Sequence, residues 1–246
     1  MTLGVVAKVA GIFRYPVQSV GGEEVAAASF AAHGMPGDRA YAIADLEQNC
    51  VAHASSAKKK YRPLIAWRAR YLVEPRDGTA PAPIEVDFGD GILRGDDSRI
   101  DQAISDRLGM QAALVVNDGT RVPKLYESSP CHLITSATLR RLQQEHPAGM
   151  FAPSRFRPNL YFDCGDEVGF VEQGWMGCKV TVGDVVFEVN EPCLRCALTT
   201  RAQGDLPDDP GILQTTARIN KAVAGMYGIV KQAGFLRRGD AVLLAP

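Results

Sequence analysis

The sequence predicts a mostly β fold with a minority of helix, of the α+β class, and three observations predict it. The first hundred residues break into short alternating or β-branched runs between turn residues. Helical periodicity with caps stands out in only two places, and no apolar run reaches the ~18 residues that a membrane span needs. At 246 residues the chain can bury a sizeable core without staples, as one large domain or two small ones.

Strands are predicted at Val5 to Phe13, Glu24 to Phe30, Tyr41 to Asp45, Leu64 to Val73 and Ile84 to Phe88, with turns at Gly21-Gly22, Pro75-Arg76-Asp77-Gly78 and Gly89-Asp90-Gly91. In Leu64 to Val73, Ile65, Trp67, Ala69 and Tyr71 alternate with more polar residues that include Arg68 and Arg70, the pattern of a sheet wet on one face. Asp97 or Ser98 then caps a helix with Ile100, Ile104 and Leu108 on one face and Gly109 at its end. A second helix runs from Thr135 or Ser136 to Glu145, before Pro147. Strands return at Leu160 to Phe162, Lys179 to Val182, Val185 to Val189 and Ala241 to Leu244, with tight connections at Gly183-Asp184 and Gly239-Asp240. Composition shifts from strand-rich to mixed near residues 95 to 115 without a Pro/Ser/Gly-rich linker, which predicts two parts packed together, residues 1–110 and 111–246.

Twenty-seven basic residues against twenty-eight acidic ones give a net charge of -1, so no global pull toward nucleic acid or anionic membrane is expected and an anionic ligand must be bound locally. Met1 to Phe13 alternates like a strand and has neither a basic start nor an export-type apolar stretch. Six irregularly spaced cysteines read as reduced thiols of a cytoplasmic protein.

The most informative pair is Cys193 and Cys196, within Asn190-Glu191-Pro192-Cys193-Leu194-Arg195-Cys196-Ala197, just after a strand-like run. Thiolates are soft metal ligands and nucleophiles, and the guanidinium of Arg195 favours ionised sulfur. The pair alone leaves several readings open. A structural zinc site could recruit Cys164 and Cys178, although zinc ribbons usually show two close pairs. A thioredoxin-like dithiol wants its pair to open a helix, whereas the chain soon enters Gln203-Gly204-Asp205-Leu206-Pro207-Asp208-Asp209-Pro210. Two ordinary buried cysteines are the remaining alternative.

Polar clusters stand at strand ends: Tyr15-Pro16-Val17-Gln18-Ser19, Gly37-Asp38-Arg39, Ser128-Ser129-Pro130 and Arg155-Phe156-Arg157-Pro158-Asn159. Arg and Asn entering an apolar strand are costly unless paired, and a guanidinium forks well onto phosphate; the ordinary alternative for Arg157 is an ion pair. In order and spacing, these clusters with Ser55-Ser56-Ala57-Lys58-Lys59, Cys193-Leu194-Arg195-Cys196 and Gly239-Asp240 resemble the MOSC family, the domain named for the C-terminal part of molybdenum cofactor sulfurase, preceded by that family's N-terminal β-barrel segment. The resemblance spans nearly the whole chain and is nearest in kind to amidoxime-reducing components and to bacterial reductases of N-hydroxylated compounds.

The resemblance implies an N-terminal β-barrel-like part packed on a MOSC barrel, with a molybdenum pyranopterin cofactor between them. It implies Cys196 as the molybdenum ligand and catalytic residue, with Cys193 in support. Cofactor contacts would fall on Gln18, Ser19, Arg39, Ser128, Ser129, Arg157, Asn159, Leu194 and Arg195. Gln18 stands where many relatives carry lysine, so a charge-assisted bond becomes a neutral one there; Lys58, Lys59 and Arg14 are the candidate replacements. The implied activity is reduction of an N-hydroxylated small molecule by a reduced molybdenum centre. No Gly-x-Gly-x-x-Gly fingerprint or four-cysteine iron–sulfur pattern is found, so electrons are expected from an external flavin or iron–sulfur partner. His33, His53, His132 and His146 are scattered and are read as structural or exposed. Two other functions remain: a molybdenum cofactor or sulfur carrier, and a metal-independent MOSC-like tailoring or binding protein, for which Gln18 is the supporting feature.

Overall fold

The computed structural model describes residues 4–55, 58–124 and 131–245. The first strands are β1 (Gly4–Arg14), β2 (Glu23–Glu24), β3 (Ala27–Phe30), β4 (Tyr41–Asp45), β5 (Cys50–Val51), β6 (Arg68–Tyr71), β7 (Ile84–Asp87) and β8 (Ile92–Arg94). They are followed by β9 (Ala112–Val116), β10 (Cys131–Thr135), β11 (Leu160–Asp163), β12 (Lys179–Val182), β13 (Val185–Leu194), β14 (Val223–Gln232), β15 (Gly234–Arg237) and β16 (Ala241–Ala245). The helices are α1 (Ile100–Leu108), α2 (Ser136–Glu145), α3 (Pro153–Phe156) and α4 (Gly211–Asn220). The fold is mostly β with some helix, as expected. Among the described residues no helix is long and apolar enough to cross a membrane.

The chain divides into two compact units, each discontinuous: the described parts of residues 1–13, 24–35 and 130–246, and those of residues 14–23 and 36–129. In the first unit, β11, β10, β14, β13, β12, β16 and β1 are hydrogen-bonded in that order and β1 pairs back onto β11, closing a seven-stranded barrel. Closure leaves no open edge in that ring. β1 sets Val5 opposite Leu243 of β16 and Ile12 opposite Leu160 of β11, with register shifts on both sides that bend it from one neighbour to the other. Val9, Ile12, Leu133, Phe162, Val180, Phe187 and Val242 fill the interior; burial of each such side chain stabilises by roughly 1.5–3 kcal/mol.

β10 and β11 run parallel, so the chain between them must cross over, and it does so through α2 and α3. The Thr135 side chain caps α2 by accepting from the Thr138 N–H, while Leu139 and Leu142 pack with Phe151, Phe156 and Ile212. The β12–β13 hairpin places Val182 opposite Val185, and its tight turn puts Gly183 at φ +55°, where a side chain would be strained.

The second unit holds two three-stranded sheets, β5-β4-β9 and β6-β7-β8. Ala42, Ala44, Val51, Ala113, Val115 and Val122 form one core cluster there. α1 buries Ile100, Ile104 and Leu108 and ends on Gly109 in the left-handed region, as the sequence predicts, but neither Asp97 nor Ser98 caps it: the N-cap is Arg99, which makes no side-chain cap bond, and Asp97 Oδ1 accepts from the Arg99 N–H at 2.9 Å in the turn before the helix.

Two predicted strands are corrected. Lys59–Ala66 is a 3-10 helix containing Pro63, and only Arg68–Tyr71 is strand within the predicted Leu64 to Val73. The inward alternation of Trp67, Ala69 and Tyr71 does hold. The predicted Glu24 to Phe30 is split into β2 and β3. β13 runs five residues past its predicted end, through Pro192, with register shifts at Val189/Glu191 and Pro192/Leu194.

Candidate active site

The first unit carries Cys193, Leu194, Arg195, Cys196, Arg157 and Asn159 at one end of β13 and at the start of β11. Alternation along the end of β13 buries Cys193 and exposes Leu194, and it leaves Cys196 exposed one step beyond. The cation of the motif serves the buried sulfur: Arg195 Nη1 donates to Cys193 Sγ at 2.6 Å and Nη2 donates to the Phe156 carbonyl at 2.6 Å. Sequence proximity alone would suggest the opposite partner, Cys196. The buried Nε of Arg195 has no hydrogen-bond partner among the described residues.

Phe156 leads directly into Arg157, a buried arginine held left-handed at φ +53° where α3 ends. Asn159 is buried beside it, its Oδ1 accepting from the His132 N–H at 3.1 Å and its Nδ2 donating to the Phe13 carbonyl at 3.3 Å. Among the described residues, that leaves the amide with one further lone pair and one further N–H. His132 is itself buried, with Nε2 facing the Ala224 carbonyl at 3.1 Å and Nδ1 facing the Arg157 carbonyl at 3.4 Å.

Sequence reasoning named Arg155 only as part of a motif. In the structure it clamps backbone oxygens. Fully buried, it donates from Nε to the Met150 carbonyl at 2.9 Å, from Nη1 to those of Thr199 and Arg201 at 3.0 and 3.2 Å, and from Nη2 to that of Pro207 at 3.0 Å. Three of those carbonyls belong to the segment after Cys196. Asp209 finishes the arrangement, with its N–H on the Thr200 carbonyl at 2.8 Å and Oδ2 2.9 Å from His146 Nε2. Burial lowers the affinity of Arg155 for its proton, an effect that Asp209 and Asp208 oppose. A partial signal was available in the sequence: a second arginine beside Arg157 in an apolar stretch needs polar partners if buried, though the sequence does not say which.

The second unit carries Gln18, Ser19 and Arg39. The backbone brings them together: the Arg39 N–H donates to the Tyr15 carbonyl at 2.6 Å and the Gln18 N–H to that of Tyr41 at 2.8 Å. Ser19 is buried and left-handed at φ +67°, and its Oγ accepts from the Ala54 N–H at 3.2 Å. Arg39 pairs with Asp38 and lies over the Tyr15 ring at 5.3 Å. Of the candidate replacements for a lysine at Gln18, Arg14 is already engaged: it is buried against Glu23 at 2.8 Å and Glu74 at 2.7 Å. Ser128 and Ser129, with Ser56 and Ala57, lie outside the described residues.

Among the described residues no three of His, Cys, Asp and Glu stand close enough to hold a metal ion, so the zinc alternative finds no ligand set there. Burial pushes the Cys164 thiol up to about 11, with Glu172 and Asp163 adding to the shift. That sulfur is a core group.

The family profile described as "MOSC domain" matches residues 105–243, and that described as "MOSC N-terminal beta barrel domain" matches residues 6–60. Among solved structures, the chain is similar to the YUAD protein from Bacillus subtilis at 11% identity and TM-score 0.51, covering 99% of this chain and 98% of that one. This is a likeness of fold alone. YiiM from Geobacillus stearothermophilus (15% identity, TM-score 0.36, 64% of this chain and 68% of that one) and YiiM from Escherichia coli (18%, 0.34, 48% and 54%) match more partially. No curated protein matches the chain.

Proposed function

Because the chain belongs to the MOSC domain family, we propose that it holds a molybdenum pyranopterin cofactor through Cys196 and reduces N-hydroxylated small molecules with electrons from an external flavin or iron–sulfur donor in the cytoplasm. One observation supports the reading: of the paired cysteines, Cys196 is an exposed residue while Cys193 is buried against Arg195. A lone accessible thiolate suits a metal that brings its other sulfur ligands with it. The unpartnered buried Nε of Arg195 is a donor waiting for an acceptor, and the cofactor is an anion. The residues fit the group.

In this reading the residues that bind the cofactor are Gln18, Ser19, Arg39, Ser128, Ser129, Arg157, Asn159, Leu194 and Arg195. Guanidinium groups on the cofactor phosphate give charge-assisted bonds, which are roughly twice as strong as neutral ones. Gln18 donates a neutral bond, which Lys58 or Lys59 supplements. Arg155 holds the segment after Cys196 against movement, so the thiolate is presented in one place. When bound, the cofactor supplies the two electrons that, with two protons, cleave the N–O bond and release water. The chain's part is binding, orientation and exclusion of solvent.

Molybdenum and pterin are to be measured on protein made in a host that synthesises the cofactor. Stoichiometric metal and pterin, both lost in Cys196→Ser, are expected, together with turnover of an amidoxime by a reduced donor. Absence of both from the unmutated protein, or their full retention in Cys196→Ser, would overturn the reading. Exposure of Cys196 also suits a second reading, a sulfur or cofactor carrier. Transfer of cofactor or persulfide sulfur to an acceptor protein, without amidoxime turnover, would favour it.

A further inference from the structure

A recess of about 380 Å³ opens on the first unit beside β13 and β14, a volume within the range of small-molecule sites. Buried Met226 and Val223 line it with Pro192, and exposed Met176 and Lys221 border it.

Three relationships tie this recess to Cys196. Pro192 and Leu194, on either side of buried Cys193, are exposed, and so is Cys196 two residues past the end of the strand. Val223 stands opposite Leu194 in the β13–β14 ladder. The Ala222 carbonyl accepts from the Arg195 N–H at 2.7 Å. Cys196 stands four residues after Pro192 in the chain, a span of at most about 13 Å.

The turn that supplies Lys221 is unusual. Lys221 and Ala222 are consecutive non-glycine residues in the left-handed region, at φ +51° and +62°, a conformation that costs about 1 kcal/mol or more for each. A cation at the end of α4 suits the helix dipole. Among the described residues no carboxylate pairs with the Lys221 ammonium. Its neighbour Asn220 is committed instead, donating to the Val223 carbonyl at 2.8 Å and accepting from Gln173 Nε2 at 3.1 Å. Lys221 is thus the charged group left to meet a ligand over an apolar floor.

We propose that this recess binds an amphiphilic carboxylate, its apolar body on Met226, Val223 and Pro192 and its carboxylate on Lys221. Resting on the function proposed above, this makes the preferred substrate an N-hydroxylated compound that carries an apolar segment and a remote carboxylate, long enough to reach Cys196 from the recess.

Isothermal titration of the cofactor-free protein with 4-phenylbutyrate and with its neutral amide, 4-phenylbutyramide, tests the recess without the metal, so failure of the molybdenum reading leaves the test valid. The acid is expected to bind more tightly than the amide. Lys221→Asn, chosen because Asn tolerates the left-handed region, should weaken the acid about fivefold and leave the amide unchanged. Met176→Glu should weaken both. No binding by the unmutated protein, equal affinity for acid and amide, or an acid affinity that neither variant changes would overturn the proposal.

Discussion

Arg195 Nη1 donates to Cys193 Sγ at 2.6 Å, so the cation of the Cys-Leu-Arg-Cys motif is tethered to the buried sulfur and the exposed one is left open. Two cysteines three residues apart therefore have different roles. Cys193 and the Phe156 carbonyl hold the guanidinium, and Cys196 is left exposed.

That division predicts the order of alkylation. In the cofactor-free protein iodoacetamide should modify Cys196 well before Cys193, Cys131 or Cys164, which are buried. The raised pKa of Cys164 further lowers its thiolate fraction at neutral pH. Peptide mapping by mass spectrometry over a time course reads the order directly. Modification of Cys193 ahead of Cys196 would contradict the assignment.

Arg155→Met is expected to cost about 3 kcal/mol or more, because four carbonyl oxygens lose charge-assisted donors inside the protein. Arg94→Ala, which removes an exposed pair with Asp96, should change stability by no more than about 1 kcal/mol. Urea midpoints of the two variants provide the comparison. Similar midpoints would show that the segment after Cys196 does not depend on Arg155.

Gly225→Ala should be among the most damaging small substitutions. Gly225 sits at φ +85°, and an added Cβ would meet His132 Nε2 at 2.3 Å and the Leu133 carbonyl at 2.5 Å. Both the backbone and the histidine that abuts Arg157 and Asn159 would have to shift, for a loss of roughly 2 kcal/mol or more. Thermal unfolding checks this, with Gly78→Ala as a control that carries a positive φ of +70° but open space around the Cβ.

Much of the frame was legible because it is local. The Ile100, Ile104 and Leu108 spacing with Gly109, the Thr135 cap and the Gly183-Asp184 hairpin each combine periodicity with a stop signal, and each is found as predicted. β14 was missed because Gly225 and Gly228 interrupt its apolar run, and α4 because it opens after Pro210 and carries Thr215 and Thr216, poor helix formers that tertiary packing buries. Closure of the barrel through β1 and β11 pairs residues about 150 positions apart, which no short window contains. At the candidate site, the Cys193–Cys196 pair stood out in the sequence. Which sulfur Arg195 serves was not legible, since that depends on the alternation of a strand that continues past Pro192.

Glu172 should give the protein a pH dependence of unusual sign. Its carboxyl is almost wholly buried and accepts from Thr135 Oγ1 at 2.6 Å and Thr138 Oγ1 at 2.7 Å. Burial raises its pKa above the ordinary value of 4.5, and the two hydroxyl bonds offset only part of the shift. In the window between the ordinary and the raised value the folded state holds a proton that the unfolded state has released. Stability contributed by this group is therefore greatest below the ordinary value and declines as pH rises toward the raised one. Glu172→Gln removes the charge but keeps an oxygen acceptor for one of the two hydroxyls. The variant should lose that decline, so its unfolding midpoint gains on that of the unmutated protein as pH is raised above about 4.5. Parallel stability curves for the two proteins across that range would show that Glu172 ionises in the folded state as easily as in the unfolded chain.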